Sequence, residues 1–466
     1  MNTPETMQPD AAMQESAAIE RDGLPGFARS GASAPIFSGQ VSGQVSGLAG
    51  TSRRRALVTA ASGVLLALAG APLVRHAHAA TDASSGAGHT AAGGDARFVF
   101  VILRGGMDGL SAVPAVGDPD FARARGVLAE HPPAAGGGGS AASPLPLDGL
   151  FALHPLLSNL HGMYGAGELL VAHAICSLYR ERSHFDAQNV LEGGAMRAFA
   201  TSDGWVNRAL AAASARADVA SAPQAIAIGA GIPLALRGAL PVSSWAPSVL
   251  PDPDADLVAR ASALYANDRA LARALADARA VHEADERARA GGQFPELMAA
   301  AARFLASPTG PRIAVLELPG WDTHSTQAHP AGGLARNLRQ LDAGMAAMKA
   351  GLGAAWARTV VVAASEFGRT VAVNGTGGTD HGTGGAVLVA GGAVQGGRVL
   401  ADWPGLGEGA RFEGRDLTPT RDLRVLLKGL LQDHLQLSRA DLDERVFPGS
   451  SPQVPLQDLI RQRASR

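Results

Sequence analysis

The sequence predicts an α/β protein, a mostly parallel sheet sandwiched by helices, with an added helical segment. Three observations lead there. Residues 97–103 hold an unbroken β-branched and aromatic run, Phe98 to Ile102, as in a central strand covered on both faces; a half-exposed strand would alternate. Four further apolar runs of strand length follow, at 168–175, 312–318, 359–364 and 386–390. Stretches of helical length lie between them, at 156–164, 185–192 and 334–351, and strand–helix alternation at this spacing builds parallel sheets.

Composition narrows the class of protein. The chain has 466 residues, 46% of them apolar and 18% charged, enough for a large core and typical of a globular protein. A net charge of −2 with no long run of one sign argues against nucleic-acid binding and against a polybasic membrane patch. The single cysteine, Cys176, rules out an intramolecular disulfide. It stands in an apolar run with no strong base beside it, so it reads as a small core residue.

The chain opens with a leader, residues 1–50, rich in Gly, Ser, Ala and Pro and expected to be disordered. Residues 51–80 follow with the parts of a secretory signal: Arg53, Arg54 and Arg55, an apolar stretch at 58–74, then Ala77-His78-Ala79. The pattern Ser52-Arg53-Arg54-x-x-Leu57 resembles a twin-arginine export signal. The twin-arginine export machinery is therefore an expected partner, and the expected location is periplasmic or secreted. A retained anchor is the alternative, but Gly63, Gly70 and Pro72 dilute the apolar stretch, so no stable membrane span is expected after cleavage.

The mature part reads as one α/β hydrolase-like domain over 97–447. A flexible glycine-rich loop is expected at 132–146, a long helical insert with a solvated charged face at 254–306, and a closing helix at 420–435. Residues 448–466 are left as a C-terminal tail.

In open parallel sheets ligands bind beyond the carboxyl ends of the strands. The polar residues next to the five strand ends are Asp108 after the first and Ser177 to Asp186 after the second. Asp322 and His324 follow the third, Glu366 and Arg369 follow the fourth, and Asp380 and His381 precede the fifth. Carboxylates crowded together repel unless a cation compensates. Asp108, Asp322, His324, Glu366, Asp380 and His381 are thus candidate ligands of a divalent metal (Zn, Mn, Mg or Ca). The competing reading is that each Asp caps backbone N–H groups in its glycine-rich turn. Ser183 precedes an expected helix, where a hydroxyl can cap the helix or act as a nucleophile at its positive end. Arg104 and Arg369 read as ion-pair partners or anion clamps. His154, His161, His173 and His282 read as structural, and His329 as a possible extra ligand.

These residues carry a family resemblance. Leu103 to Leu110 (Leu-Arg-Gly-Gly-Met-Asp-Gly-Leu), Arg182-Ser183-His184-Phe185-Asp186, Pro319-Gly320-Trp321-Asp322-Thr323-His324, Ser365-Glu366-Phe367-Gly368-Arg369-Thr370 and the glycine-rich stretch 377–385 resemble the bacterial family called domain of unknown function 1501. The resemblance extends to the alkaline phosphatase–sulfatase superfamily. It implies a metal-dependent hydrolase of phosphate or sulfate esters, of an unspecified small-molecule or glycan substrate. In that reading Ser183 attacks, Arg369 steadies the anion, and Asp108, Asp322, His324, Glu366 and His381 hold metal. Glu366-Phe367 stands where the superfamily has Asp-His. The alternative is a non-catalytic periplasmic binding protein that keeps the same rim.

Overall fold

The apolar runs become the strands of one mixed sheet in a computed structural model that describes residues 95–130, 143–215, 225–247, 255–285 and 292–462. The leader, the export segment and most of the 132–146 loop lie outside the described residues. The strands are β1 (Arg97–Arg104), β2 (Leu169–Cys176), β3 (Ala225–Ile228), β4 (Ser243–Trp245), β5 (Ile313–Pro319), β6 (Thr359–Ala364), β7 (Gly385–Ala390), β8 (Arg398–Leu400) and β9 (Arg421–Asp422). Their order is β8-β2-β7-β6-β1-β5-β3-β4, with β9 also paired to β2. The expectation of a mostly parallel sheet holds: β1 runs parallel to β5 and β6, β3 to β4 and β5, and β8 and β9 to β2.

The exception is β7, antiparallel to both β2 and β6. Because it is reversed, residues just before β7 stand at the same sheet edge as residues just after β1, β2, β5 and β6. Had β7 been parallel, Asp380 and His381 would lie at the far edge.

Successive residues of a strand face opposite sides, and β1 divides its side chains accordingly. Val99, Val101 and Leu103 belong to a core shared with Leu160, Met298, Leu338 and Met345. These come from helices α1 (Ser158–Gly165), α6 (Phe294–Ala306) and α7 (Gly333–Leu352). Phe98, Phe100 and Ile102 face the other core, with Leu191, Trp205, Leu426 and Leu430 from α2 (His184–Gly193), α3 (Trp205–Ser214) and α8 (Leu423–His434). Both faces of the sheet are therefore covered.

Two expected segments take a different form. The stretch 254–306 is three helices, α4 (Ala255–Tyr265), α5 (Arg269–Asp285) and α6. The last is core, because Phe294, Met298 and Leu305 are buried against the sheet layer. Residues 448–462, read as a tail, lie against the body. Leu459 is buried, and Lys428 Nζ donates to the carbonyls of Ser450 (2.5 Å) and Gln453 (2.8 Å). Buried Lys428 needs those acceptors, which charge patterning along the chain did not reveal. Leu145–Pro146, the end of the expected loop, pairs with Ala152–Leu153 as a short hairpin. Among the described residues no helix is long and apolar enough to cross a membrane.

Trp205 anchors one core. Its ring lies edge-on to Phe98 and Phe100 at centroid distances of 6.0 and 5.1 Å, and its Nε1 donates to the Leu191 carbonyl at 3.0 Å. Trp205→Ala is expected to cost about 3–5 kcal/mol of stability in chemical denaturation. A loss below about 1 kcal/mol would contradict this account of the core.

Candidate metal centre

Four side chains from three loops meet at the edge to which β2, β5 and β6 run. Gly320, at φ +94, turns the chain after β5, and Asp322 and His324 follow. The i, i+2 spacing brings the two together: His324 Nε2 is 2.9 Å from Asp322 Oδ1. His381, before β7, places its Nε2 3.0 Å from His324 Nε2 and 3.2 Å from Asp322 Oδ1. His184, the first residue of α2, places its Nε2 3.0 Å from His381 Nε2 and 3.4 Å from Asp322 Oδ2. Ligand atoms of His184, Asp322 and His381 all lie within 4.8 Å of one another, a spacing that one ion could bridge.

The other nitrogen of each ring decides what these contacts mean. His184 Nδ1 is 2.8 Å from Glu366 Oε1, His324 Nδ1 is 3.2 Å from Asp380 Oδ1, and His381 Nδ1 is 3.0 Å from the Arg182 carbonyl. All three partners can only accept, so in each neutral ring the proton sits on Nδ1 and Nε2 carries a lone pair. With all three rings neutral, three lone pairs would face one another beside a carboxylate that Arg369 already bonds. Such an arrangement repels itself unless a cation lies between, and Nδ1 anchoring of this kind is how proteins orient metal-binding imidazoles. The contact with Glu366 raises the pKa of His184 despite partial burial, whereas burial lowers that of His381.

The expected ligands divide into two groups. Asp322, His324 and His381 face the centre. Glu366 and Asp380 stand behind it and act through His184 and His324, so as direct ligands both are corrected to positioning residues. Glu366 is buried, where desolvation alone would raise its pKa. Bonds from His184, from Gln188 Nε2 (3.1 Å) and from the Gly105 amide (2.8 Å) lower it instead. Asp380 is kept ionised chiefly by Asn374.

Asp108 is not part of the centre. It is buried, caps Leu110 N (3.1 Å) and Ser111 N (3.3 Å), and pairs with the Arg125 guanidinium. Ser111 Oγ (2.8 Å) and Gln327 Nε2 (2.5 Å) donate to its Oδ2. Arg125, fully buried at the end of the short helix Phe121–Arg125, supplies the positive charge that the sequence reading assigned to a metal. Burial alone would raise the Asp108 pKa, but the Arg125 charge and these hydrogen bonds hold it below the ordinary carboxylate range.

Arg369 is likewise a positioning residue rather than an anion clamp. It is 1% exposed, and its three nitrogens donate to the carbonyls of Gly105, Gly106, Trp321 and Thr379 and to Asp322 Oδ1 at 2.5 Å. Arg104 ties α2 to β5 through Gln188 (2.9 Å), Glu192 (2.8 Å) and Glu317 (2.5 Å). The loops touch backbone to backbone. A Cβ on Gly105, at φ +117, would lie 2.6 Å from Asp322 N, and one on Gly378 2.2 Å from the His324 carbonyl carbon.

Ser183 is the N-cap of α2, but its side chain caps no backbone group. Arg182, beside it, has φ +60, a left-handed conformation uncommon for arginine. That turn aims its carbonyl at His381. His173 is buried, with a pKa lowered by desolvation to about 4, and bonds the Val113 carbonyl at 3.0 Å. His154, His161 and His329 make local contacts with Leu156, Pro146 and Ala331. The side chain of His282 lies outside the described residues. Cys176 is buried, which pushes its thiol pKa up.

His184 is the candidate ligand that the sequence pattern left unassigned. The available signal was position: it follows β2 as Asp322 and His324 follow β5, next to the hydroxyl of Ser183.

A family model described as "Protein of unknown function (DUF1501)" matches residues 176–441. The chain belongs to this family. No curated protein matches it significantly. Among solved structures it is similar to the lipoteichoic acid synthase LtaP from Listeria monocytogenes, at 8% identity and TM-score 0.34 over 77% of each chain. It is also similar to the phosphonate monoester hydrolase of Agrobacterium radiobacter, at 13% identity and TM-score 0.31, over 73% of this chain and 74% of that one. A third is the C-terminal periplasmic domain of EcEptC from Escherichia coli in complex with Zn, at 9% identity and TM-score 0.31, over 65% of this chain and 75% of that one. Likenesses this distant carry no conclusion about chemistry.

A depressed carboxylate stabilises the fold above its ordinary pKa, and that contribution is lost as pH falls through the folded-state value. Stability should therefore decline below about pH 4, more shallowly in an Asp108→Asn variant. Arg125→Met, which leaves Asp108 buried without its partner, is expected to cost about 3–5 kcal/mol at neutral pH. Denaturant titration across pH checks both; an unchanged acid slope in Asp108→Asn would exclude the pair as its source.

Proposed function

We propose that this protein is a metal-dependent hydrolase of phosphate or sulfate esters, built around one divalent ion held by His184, Asp322, His324 and His381. The carrying observation is the convergence of three imidazole Nε2 atoms whose Nδ1 partners accept hydrogen bonds. Three nitrogens and one carboxylate suit zinc or a similar transition ion better than Mg²⁺ or Ca²⁺, which favour oxygen donors. When bound, such an ion supplies Lewis acidity toward an ester oxygen.

The chain's own residues supply the rest. Glu366, Asp380 and the Arg182 carbonyl fix the ring orientations, and Arg369 holds Asp322. Ser183 Oγ is the proposed nucleophile. Asp186, in the first turn of the same helix and bonded by the Tyr179 phenol at 3.1 Å, is the proposed acceptor of the proton that Ser183 must lose. The N-terminus of α2 gives the region a positive bias toward an anion. The export segment at 51–80 supports a periplasmic or secreted location, reached through the twin-arginine machinery.

Metal analysis of the purified protein should find about one ion per chain. His184→Ala or His381→Ala should lose it, and Glu366→Gln should weaken zinc affinity by ~10–100-fold. No bound ion in the parent protein, or full retention in both histidine variants, would overturn the metal centre.

Ser183→Ala should keep the ion but lose hydrolysis of para-nitrophenyl phosphate or sulfate by ~10³-fold or more. Retained hydrolysis would remove Ser183 from the mechanism and leave the metal centre standing.

A further inference from the structure

One loop brings Asp322 and His324 to the centre, and another brings Asp380 and His381. A single buried side chain, whose hydrogen bonds reach none of the four, joins the two loops. Gln327 accepts at Oε1 from Thr323 Oγ1 (3.0 Å) and from Thr379 Oγ1 (2.8 Å). Thr323 stands between Asp322 and His324, and Thr379 directly precedes Asp380. The Thr379 amide also donates to the Thr323 carbonyl at 3.2 Å.

A carboxamide has nearly the same shape turned either way, so its surroundings must decide which end meets the threonines. Asp108, ionised against Arg125, can only accept, and its Oδ2 accepts from Gln327 Nε2 at 2.5 Å. Ser111 Oγ gives its own proton to Asp108 and accepts from the same Nε2 at 3.1 Å. The amide oxygen is left to the threonines, and both hydroxyls must donate to it. Arg125 extends the hold to the second loop. It donates to the Thr370 carbonyl (3.2 Å), while Thr370 N donates to the Asp380 carbonyl (2.9 Å) and Thr370 Oγ1 accepts from the Asp380 amide (3.1 Å).

Stability alone gives little reason for this network, since a buried ion pair with its polar partners is commonly no more stable than apolar packing of the same volume. What it adds is direction. A metal-ligand set tolerates errors of only about 0.2–0.5 Å, and loops without regular structure need fixed partners to hold it.

We propose that Gln327 is a positioning residue of the metal centre, through which the Asp108–Arg125 pair sets the spacing between the loop of Asp322 and His324 and the loop of His381. This rests on the metal-centre reading above.

Zinc affinity of the full-length protein, measured by competition with a chelating dye, tests the proposal without turnover. The visible spectrum of the cobalt(II)-loaded protein adds a report on ligand geometry that d¹⁰ zinc does not give. Gln327→Met keeps the side chain's length and removes its amide, whereas Thr323→Val and Thr379→Val each remove one hydroxyl. Gln327→Met should weaken zinc binding by about 10-fold and alter the cobalt bands. Each valine variant should weaken it by about 3-fold, and Thr323→Ser and Thr379→Ser, which keep the hydroxyl, should restore parent values. All spectra are taken on samples with the parent's circular dichroism, where a purely structural role would leave the cobalt bands unmoved. Parent affinity and spectrum in Gln327→Met, or in both valine variants, overturn the proposal while the metal centre stands; so do serine variants as weak as the valine ones. If Gln327→Met does not fold, the valine and serine variants decide. A parent protein that binds neither ion fails the metal-centre reading, and the proposal with it.

Discussion

The organisation of the site depends on where the imidazole protons sit. Each of three histidines gives its Nδ1 proton to a fixed acceptor, a carboxylate for His184 and His324 and a backbone carbonyl for His381. Their Nε2 lone pairs are thereby forced toward one another and toward Asp322. Positive charge relieves such a concentration of electron pairs; Arg369 supplies it at Asp322 Oδ1, and a bound cation would supply it between the rings. The acceptors behind the rings matter as much as the rings in front, since they remove the freedom to turn a proton into the gap.

Around that focus the protein has arranged buried cations to hold loops rather than to meet ligands. Arg369 gathers four carbonyls and Asp322, which locks the turn after β1 to the loops after β5 and before β7. Arg125 does the same one layer deeper, bonding the Thr370 and Val371 carbonyls and Asp108. Gln327 joins this layer to Thr323 (3.0 Å) and Thr379 (2.8 Å), neighbours of Asp322, His324 and Asp380. Each guanidinium satisfies several acceptors at once, which offsets the desolvation of a buried charge. The loops are irregular in backbone, but they are not loosely held.

Much of this was legible along the chain. Five apolar runs marked five of the strands, because strands buried on both faces must be continuously apolar. The rule that ligands gather beyond strand ends pointed to the edge where Asp322, His324 and His381 come together. Asp108 and Glu366 sit at the right edge, yet one turns to Arg125 and the other to Nδ1 of His184. Residue type and strand position are the same for a ligand and for the group behind a ligand; only side-chain direction separates them.

The sequence by itself determined five of the sheet's nine strands, the layering of helices on both faces and the set of polar groups available at one edge. It could do so because hydrophobic periodicity and turn chemistry are local properties. Tertiary structure alone decided which of those groups face the centre and which stand behind them. It also decided that β7 runs against its neighbours, bringing His381 to the shared edge, and that a buried arginine accompanies Asp108. Those outcomes depend on distances between residues up to some two hundred positions apart, such as His184 and His381 at 3.0 Å, and no local pattern encodes a distance of that kind.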